Sequence, residues 1–353
     1  MSIIPASRKR RLLIGASFVL LALLLSACAA DAPQDTLKPA GESARRSEDL
    51  WNLIFPIAVV IFVIVEFLLV FAVIRFRTKP GRVASQFHGN TKLEVVLTVI
   101  PALILAAISV PTIKTIFDLA EPPTGNVLNV TVIAHQFWWE YRYPDLGIVT
   151  ANELHIPVDV PVRIRLEGQP TDLVDSTPEV IHSFWIPKLG GKQDIVPGRL
   201  NLITLSASET GTFMGQCTEY CGLGHANMRL LVEVQEQADF DAWVSDLKET
   251  PPTTDPLVTE GEKLFIQGQF AGGPACSSCH VADATRDAPN AGPNLGGFAT
   301  RETFAGAVLD NTEENLVRWL RDPAAVKQGA KMPNLGLTTE QITALVAYLQ
   351  SLE

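Results

Sequence analysis

Hydrophobic residues are concentrated in the first third of the chain, in long stretches with almost no charge. Residues 50–74 contain one charged side chain, Glu66, and residues 95–113 contain none. A helix needs about 20 predominantly apolar residues to cross a bilayer. The pattern therefore predicts a two-helix transmembrane hairpin over residues 50–118. The basic loop at residues 75–79 favours the cytoplasm, which places the rest of the chain on the outer face.

The N-terminal residues have the pattern of an export signal. A basic cluster at residues 8–11 precedes an apolar run at residues 12–25, and small residues then lead to Cys28. We predict a signal peptide with a lipobox over residues 1–28, so that Cys28 becomes a lipid anchor after cleavage. An uncleaved transmembrane helix is the alternative, and it gives the same orientation. The polar residues 29–49 are expected to form a flexible spacer.

After residue 118 the pattern changes to short β-rich segments separated by Gly, Pro and Asp. This alternation is typical of a β-sandwich or barrel, and we predict an all-β domain over residues 119–245. Residues 246–256, rich in proline and threonine, are expected to form a linker. The predicted strands are residues 127–133, 138–143, 162–166, 180–185, 200–205 and 230–234.

The last part of the chain, residues 257–353, has the longer period of helices. Thr338 and Gln341 are spaced for a capping box at the start of the final helix. The predicted fold class is therefore multidomain, with a transmembrane hairpin, an all-β domain and an all-α domain. The predicted helices of the last domain are residues 258–267, 313–321 and 338–352.

Charge and cysteine usage narrow the functional classes. The chain of 353 residues has a net charge of −10, and its basic clusters lie beside apolar stretches, so no nucleic-acid partner is expected. Exported cysteines usually pair, but each cysteine here has a candidate chemical role, so we predict no structural disulfide. The five cysteines stand at positions 28, 217, 221, 276 and 279.

One short segment gathers donors suited to a soft metal ion. Cys217, Cys221, His225 and Met228 follow one another at close spacing, and His182 on a predicted strand supplies a second imidazole. Thiolates with a thioether favour copper over zinc. A disulfide between the cysteines and an ordinary packed histidine are alternatives for parts of this set. Neither alternative explains the complete string.

A second motif points to haem. Cys276, Cys279 and His280 form the attachment signature of a c-type haem, in which the cysteines bond to the porphyrin and the histidine binds iron. Met332 is the candidate for the second axial ligand, which raises the potential of an electron carrier. A disulfide loop or a chance match is the alternative. Two one-electron redox sites on one membrane-anchored chain predict that the protein conducts electrons.

Residues 45–240 resemble subunit II of the haem-copper cytochrome c oxidases. That family has a cupredoxin-like Greek-key domain, which holds a binuclear copper centre called CuA, behind a two-helix hairpin. Residues 257–353 resemble a fused class I cytochrome c. The stretches that carry the oxidase resemblance are residues 88–94, 100–102, 135–139, 182–185, 192–199 and 217–228.

The resemblance implies roles for the copper segment. Two cysteines would bridge the copper pair, one histidine would bind each copper, and a methionine and a backbone carbonyl would complete the set. The Glu219 carboxylate would face a magnesium or manganese ion at the contact with subunit I. The residues implied as copper ligands are His182, Cys217, Glu219, Cys221, His225 and Met228.

Candidates for electron and proton paths also follow from the resemblance. The family often has a tryptophan relaying electrons from external cytochrome c at the position of Phe137, which Trp138 and Trp139 follow here. All three are relay candidates, and core packing is the alternative for the tryptophans. Glu94 resembles the mouth of the proton pathway into subunit I, and Thr91 with Glu94 also fits a capping box.

The sequence therefore predicts subunit II of a respiratory cytochrome c oxidase. Electrons would pass from haem c through CuA to subunit I, where dioxygen is reduced to water and protons are translocated. Expected partners are subunit I, subunit III and an external cytochrome c or other donor. The expected location is the bacterial plasma membrane, with the copper and haem domains on its periplasmic or outer face. Alternatives are a CuA-bearing subunit of a nitric oxide reductase and a copper-binding lipoprotein without turnover; a quinol oxidase subunit would lack copper ligands.

Overall fold

The computed structural model describes residues 32–77, 89–168, 180–249, 254–287 and 291–353, together with residues 15, 17–21 and 81. Cys28, nearly all of the predicted signal peptide and His88 lie outside the described residues. In the described part of the chain the predicted architecture is confirmed. Two apolar helices, an all-β sandwich and a helical domain follow one another.

Two long helices, α1 (Glu42–Arg75) and α2 (Thr91–Ala120), carry the apolar stretches. The most apolar stretch of each helix has no buried residue, and both helices are long and apolar enough to cross a membrane. Apolar surface of this extent is stable against lipid or against other apolar helices rather than in water. These helices therefore form the predicted hairpin of a membrane protein.

The first helix begins earlier than its apolar stretch. α1 starts at Glu42, inside the predicted spacer, and the residues before it are attached to the β-domain. The Ala40 amide donates to the Lys188 carbonyl at 2.8 Å. A side chain on Gly41 would lie 2.3 Å from the Ser206 carbonyl oxygen, so only glycine allows this close approach. The contact fixes where the membrane helix leaves the β-domain.

The capping box predicted at Thr91 and Glu94 is wrong, because the cap lies one residue earlier. The Asn90 side chain accepts a hydrogen bond from the Leu93 amide at 3.2 Å. Asparagine is among the best N-cap residues, since its short side chain reaches the orphan amides of the first turn. Glu94 therefore lies in the first turn of α2 without a part in the cap.

The β-domain is a sandwich of two sheets, each with five strands. Its strands are β1 (Leu128–His135), β2 (Trp138–Tyr143), β3 (Ile148–Ala151), β4 (Glu153–Pro157), β5 (Val162–Gly168), β6 (His182–Trp185), β7 (Gln193–Ile195), β8 (Asn201–Leu205), β9 (Gly211–Cys217) and β10 (Arg229–Gln235). The first sheet has the order β3-β2-β1-β5-β8 and the second the order β4-β10-β9-β6-β7. One core cluster draws buried side chains from both sheets.

Alternation along the strands explains the burial. In β5, Val162, Ile164 and Leu166 are buried, while Arg165 between them is exposed. Four strands, β3, β4, β7 and β9, were not predicted from the sequence. β3 and β4 are separated only by Asn152, whose φ of 66° makes the break, and such short strands have too little alternation to be recognised.

The helical domain follows a further helix, α3 (Gln237–Asp246), that was not predicted. Its helices are α4 (Pro256–Gln267), α5 (Glu313–Arg321), α6 (Pro323–Val326) and α7 (Thr339–Leu349). The capping box predicted at Thr338 and Gln341 is confirmed. α4 and α7 approach closely because Gly261 has no side chain; a Cβ there would lie 2.0 Å from the Ala344 carbonyl oxygen.

Backbone hydrogen bonds join the helical domain to both sheets. The Val149 amide on β3 donates to the Ala284 carbonyl at 2.7 Å, and the Arg229 amide on β10 donates to the Gly306 carbonyl at 3.1 Å. Bonds of this kind fix the relative position of two backbones, because neither partner can rotate away as a side chain can. The helical domain is therefore docked on the sandwich rather than only tethered to it.

A buried carboxylate strengthens this contact. Glu153 on β4 accepts hydrogen bonds from the Thr303 amide at 2.7 Å and from the Thr303 hydroxyl at 2.8 Å. The Glu302 amide is a third donor, at 3.2 Å. Burial raises the pKa of Glu153, and these bonds oppose the rise.

Candidate metal centres

Strand pairing brings the first donors of the copper segment together. β6 begins at His182, β9 ends at Cys217, and the two strands are antiparallel neighbours with Phe184 opposite Cys217. The pairing therefore places both side chains at the same end of the sheet, where His182 Nδ1 lies 3.7 Å from Cys217 Sγ. Both side chains are buried.

The loop after β9 supplies the remaining donors. Cys221 Sγ lies 3.9 Å from Cys217 Sγ, 3.6 Å from His225 Nδ1 and 3.9 Å from Met228 Sδ. The Glu219 carbonyl oxygen lies 3.2 Å from Cys217 Sγ. All six predicted residues therefore converge. Glu219 takes part through its backbone carbonyl, which faces Cys217 Sγ.

The chemistry of this donor set fits copper. None of the four described cysteines is in a disulfide, so both loop sulfurs are available as thiolates. A hydrogen bond from Cys221 lowers the pKa of Cys217 and correspondingly raises that of Cys221. Cysteine binds metals as the thiolate, and two thiolates in a buried site would place negative charge there that a soft cation neutralises.

The Glu219 carboxylate stands apart from the sulfur cluster, because its side chain is exposed. Among the described residues, the one group of three close His, Cys or acidic side chains that could hold a metal ion is His182, Cys217 and Cys221. Hard cations such as magnesium prefer oxygen ligands, so the described residues test no magnesium site at Glu219.

The haem motif lies in a 3₁₀ turn. Cys276 begins the turn, Cys279 ends it, and His280 follows with its Nδ1 2.8 Å from the Pro293 carbonyl oxygen. The carbonyl can only accept, so this bond places a proton on Nδ1 and leaves the Nε2 lone pair available to a metal ion. Burial lowers the pKa of His280, which keeps the imidazole neutral. The geometry fits a proximal ligand.

Met332 comes from a separate segment before α7. Its side chain is half-buried against the helical core, and Cys276 borders the same core. Sequence analysis missed the residues that order the haem loop. Asn294, buried, donates to the carbonyls of Asp283 and Arg286 at 2.8 and 2.9 Å. The signal that could have identified Asn294 is its place in residues 292–295, a stretch that resembles small cytochromes c.

Three family descriptions match consecutive parts of the chain. "Cytochrome C oxidase subunit II, transmembrane domain" matches residues 34–115, and "Cytochrome C oxidase subunit II, periplasmic domain" matches residues 128–235. "Cytochrome c" matches residues 258–353.

Relatives extend the match over nearly the whole length. The cytochrome c oxidase subunit 2 of Alkalihalophilus pseudofirmus is 38% identical, over 94% of this chain and 95% of the relative. The protein of the same name from Bacillus sp. (strain PS3) is 38% identical, over 95% of this chain and 96% of the relative. The chain belongs to the cytochrome c oxidase subunit II family. A quinol oxidase subunit 2 of Bacillus cereus is 30% identical, over 67% of this chain and 81% of the relative.

Membership of this family confirms the predicted electron-transfer function. The chain is a membrane-embedded subunit of a haem-copper oxidase complex, which implies subunit I as its partner. The periplasmic-domain family implies the CuA centre, and the cytochrome c domain implies a haem. Oxidase membership, together with the haem domain, separates this subunit from the nitric oxide reductase and copper-lipoprotein alternatives.

The aromatic residues of this subunit II have distinct environments. Trp139 is fully buried, with its ring centroid 6.2 Å from that of His182. Trp138 stacks on His135 with ring centroids 4.0 Å apart. Phe137 packs against residues 217–228, which we call the copper loop. The contact is so close that a Cβ on Gly224 would lie 2.3 Å from the Phe137 ring. Trp139 packs in the sandwich core beside His182, and its role as an electron relay stays a prediction.

Two polar residues at the copper loop were not found from the sequence. The Gln136 side chain donates to the Cys221 carbonyl. Lys327, from the cytochrome c domain, donates through Nζ to the Phe137 carbonyl at 2.8 Å. Gln136 stands in the aromatic motif, which gave a signal. Lys327 gave none, because a lysine at a helix end is usually exposed.

Proposed function

We propose that this subunit accepts electrons at a covalently bound haem c and delivers them through a binuclear CuA centre to subunit I. The observation that carries the proposal is the convergence of two cysteine sulfurs, two imidazole nitrogens and a thioether at one end of the sandwich. Histidine and cysteine come from paired strands, so the β-domain itself sets their positions.

In the copper centre, Cys217 and Cys221 would hold the copper pair through their thiolates, together with the imidazoles of His182 and His225. Met228 and the Glu219 carbonyl complete the set. The convergent sulfur, nitrogen and carbonyl positions support these assignments. Neighbouring groups hold the loop: the Cys217 amide donates to the Met228 carbonyl at 2.9 Å.

In the haem site, Cys276 and Cys279 would hold the haem through thioether bonds, and His280 and Met332 would bind its iron. The Pro293 carbonyl orients His280. A Cβ on Gly292 would lie 2.6 Å from the imidazole, so glycine lets the loop pass directly over the ring. When bound, the haem iron and the copper pair each supply one-electron redox chemistry.

The remaining assignments concern the complex. The exposed Glu219 carboxylate provides one ligand to a magnesium or manganese ion shared with subunit I, and Glu94 lies at the mouth of a proton pathway. Cys28 carries the lipid anchor. Copper and haem domains lie on the outer face of the plasma membrane, subunit III joins the complex, and an external cytochrome c or another donor reduces the haem. Phe137, Trp138 and Trp139 are the relay candidates.

A quinol oxidase subunit is the second candidate, because one relative carries that name. A subunit that receives electrons from quinol through another route has no use for a donor set of this kind. The complete copper donor set and the haem motif in this chain favour the cytochrome c oxidase.

The test is the metal content of the purified oxidase with and without one sulfur. In the wild type we expect two coppers in this subunit and one covalent haem. Cys217→Ser should remove the subunit II copper and leave the haem absorbance unchanged, because the two sites share no ligand. Met214→Leu, on the same strand β9 but outside the donor set, is the control and should keep both. Retention of both coppers in Cys217→Ser would refute the ligand assignment.

A further inference from the structure

The cytochrome c domain reaches the copper loop through one buried lysine. We propose that Lys327 is a positioning residue that clamps the haem domain onto the copper loop at Phe137 and so fixes the distance over which the electron passes. The inference rests on the proposed function of the two centres and goes beyond it by assigning a role to a residue outside both ligand sets.

Lys327 joins the two domains with one side chain. It follows α6 directly and is only 4% exposed. Its Nζ donates to the Phe137 carbonyl of the β-domain at 2.8 Å and to the Ala305 carbonyl of the helical domain at 2.7 Å. A lysine amine carries enough N–H donors to bond both carbonyls at once. It therefore holds one backbone of each domain at the same point.

Glycines let the helical domain approach this point. Gly306 has a φ of 76°, and a Cβ there would lie 2.7 Å from Lys327 Nζ. A Cβ on Gly329 would lie 2.7 Å from the Gly224 amide nitrogen of the copper loop. Gly306 and Gly329 thus bring the backbone of the helical domain against β-domain atoms, with no room for a side chain at either position.

The clamp lies beside proposed copper ligands. The Arg229 amide, which immediately follows Met228, donates to the Gly306 carbonyl. On the other side of the loop, the Phe137 ring packs against Gly222 and Gly224. Phe137 is therefore held at its carbonyl by the haem domain and at its ring by the copper loop. A shift of the Lys327 contact would move the haem domain relative to the copper loop.

Removal of the amine should loosen this contact while leaving the two centres loaded. Lys327→Met keeps the aliphatic chain in its buried position and removes both hydrogen bonds, which leaves two buried carbonyls without their donor. The control is Lys263→Met, which removes a positive charge from the exposed surface of α4 in the same domain, where the lysine pairs with Glu260.

Two measurements on the purified oxidase decide the role. Hydrogen exchange at the Arg229 amide, which bonds across the interface, should accelerate about tenfold or more in Lys327→Met, as expected when buried carbonyls lose their donor. After rapid reduction of the haem, the rate of electron transfer to copper should fall in the same variant. Both should be unchanged in Lys263→Met, and the haem absorbance and copper content should be unchanged in both variants.

Each other outcome contradicts the inference. Exchange equal to wild type would show that Lys327 does not hold the interface. Faster exchange with an unchanged transfer rate would show a structural contact without a positioning role. If Lys327→Met fails to assemble, Lys327→Gln, which keeps an amide donor but can lose one of the two bonds, should exchange faster than the wild type, and a wild-type rate would overturn the inference. A wild-type oxidase without a copper pair refutes the proposed function instead, whatever Lys327 does.

Discussion

The copper loop and the haem pocket gather their donors in different ways. At the copper site, His182 and Cys217 lie at the ends of two hydrogen-bonded strands. The other donors follow Cys217 within the next eleven residues of the loop. In the haem pocket, His280 follows a 3₁₀ turn and Met332 lies in an irregular segment far along the chain. A sheet sets the first two copper donors, whereas loop contacts set all of the proposed haem donors.

This difference has a consequence for how each centre depends on its ligands. Strand register holds His182 beside Cys217 whether or not another donor is removed. The proposed haem donors lie in loops, where His280 is oriented by its hydrogen bond to the Pro293 carbonyl, and the proposed covalent attachment would add rigidity. We therefore expect changes in the haem pocket to act on the haem alone and changes in the copper loop to leave the fold intact.

The largest expected effect is loss of the covalent haem. The double variant Cys276→Ser with Cys279→Ser should show no haem bound to the chain after denaturing electrophoresis, because both thioether bonds are removed. The copper content should remain that of the wild type. Ser278→Ala, between the two cysteines, is the control and should keep the haem. Haem that stays on the double variant through denaturation would contradict covalent attachment at these positions.

A smaller effect is expected from the distal ligand. Met332→Leu removes the proposed thioether from iron, and the haem potential should fall by on the order of 100 mV, within the ~0.8 V range that axial ligands span. The measurement is a redox titration of the haem absorbance in the purified oxidase. Met214→Leu, a methionine of the β-domain, should leave the potential unchanged. An unchanged potential in Met332→Leu would remove this residue from the ligand set.

The smallest effect concerns the sandwich that holds the copper loop. Burial lowers the pKa of His155 to about 4, and its ring stacks on Trp243 with centroids 4.1 Å apart. In the unfolded chain its pKa returns to an ordinary value of about 6.5. The unfolded state therefore binds more protons between these values. This contribution to stability is complete above the unfolded pKa and is lost as pH falls towards the folded pKa.

Chemical denaturation of the β-domain in the solubilised chain measures this contribution. From about pH 7 to about pH 5 the wild type should lose about 2 kcal/mol more stability than His155→Phe, which keeps the stacked ring but cannot take up a proton. Comparison with this variant removes the contributions of other titrating groups. Equal losses in the two proteins would show that His155 does not titrate as its burial implies.

The same comparison shows what sequence could predict. The copper and haem donors were recognisable because sulfur and imidazole at fixed local spacings are specific to metal chemistry, and the hairpin because its apolar stretches are long. Lys327 and Glu153 were not recognisable, since their burial arises from contacts between two domains through residues that are 150 or more positions apart in the sequence. The Asn90 cap was missed because Thr91 fitted the same rule one residue later.

The most direct test of the copper account is electron paramagnetic resonance of the oxidised wild-type subunit in its complex. The convergence of Cys217, Cys221, His182 and His225 predicts one unpaired electron with hyperfine coupling to two copper nuclei, beside a separate low-spin haem signal. A signal from a single copper nucleus, a site filled by zinc, or a disulfide between Cys217 and Cys221 would contradict it.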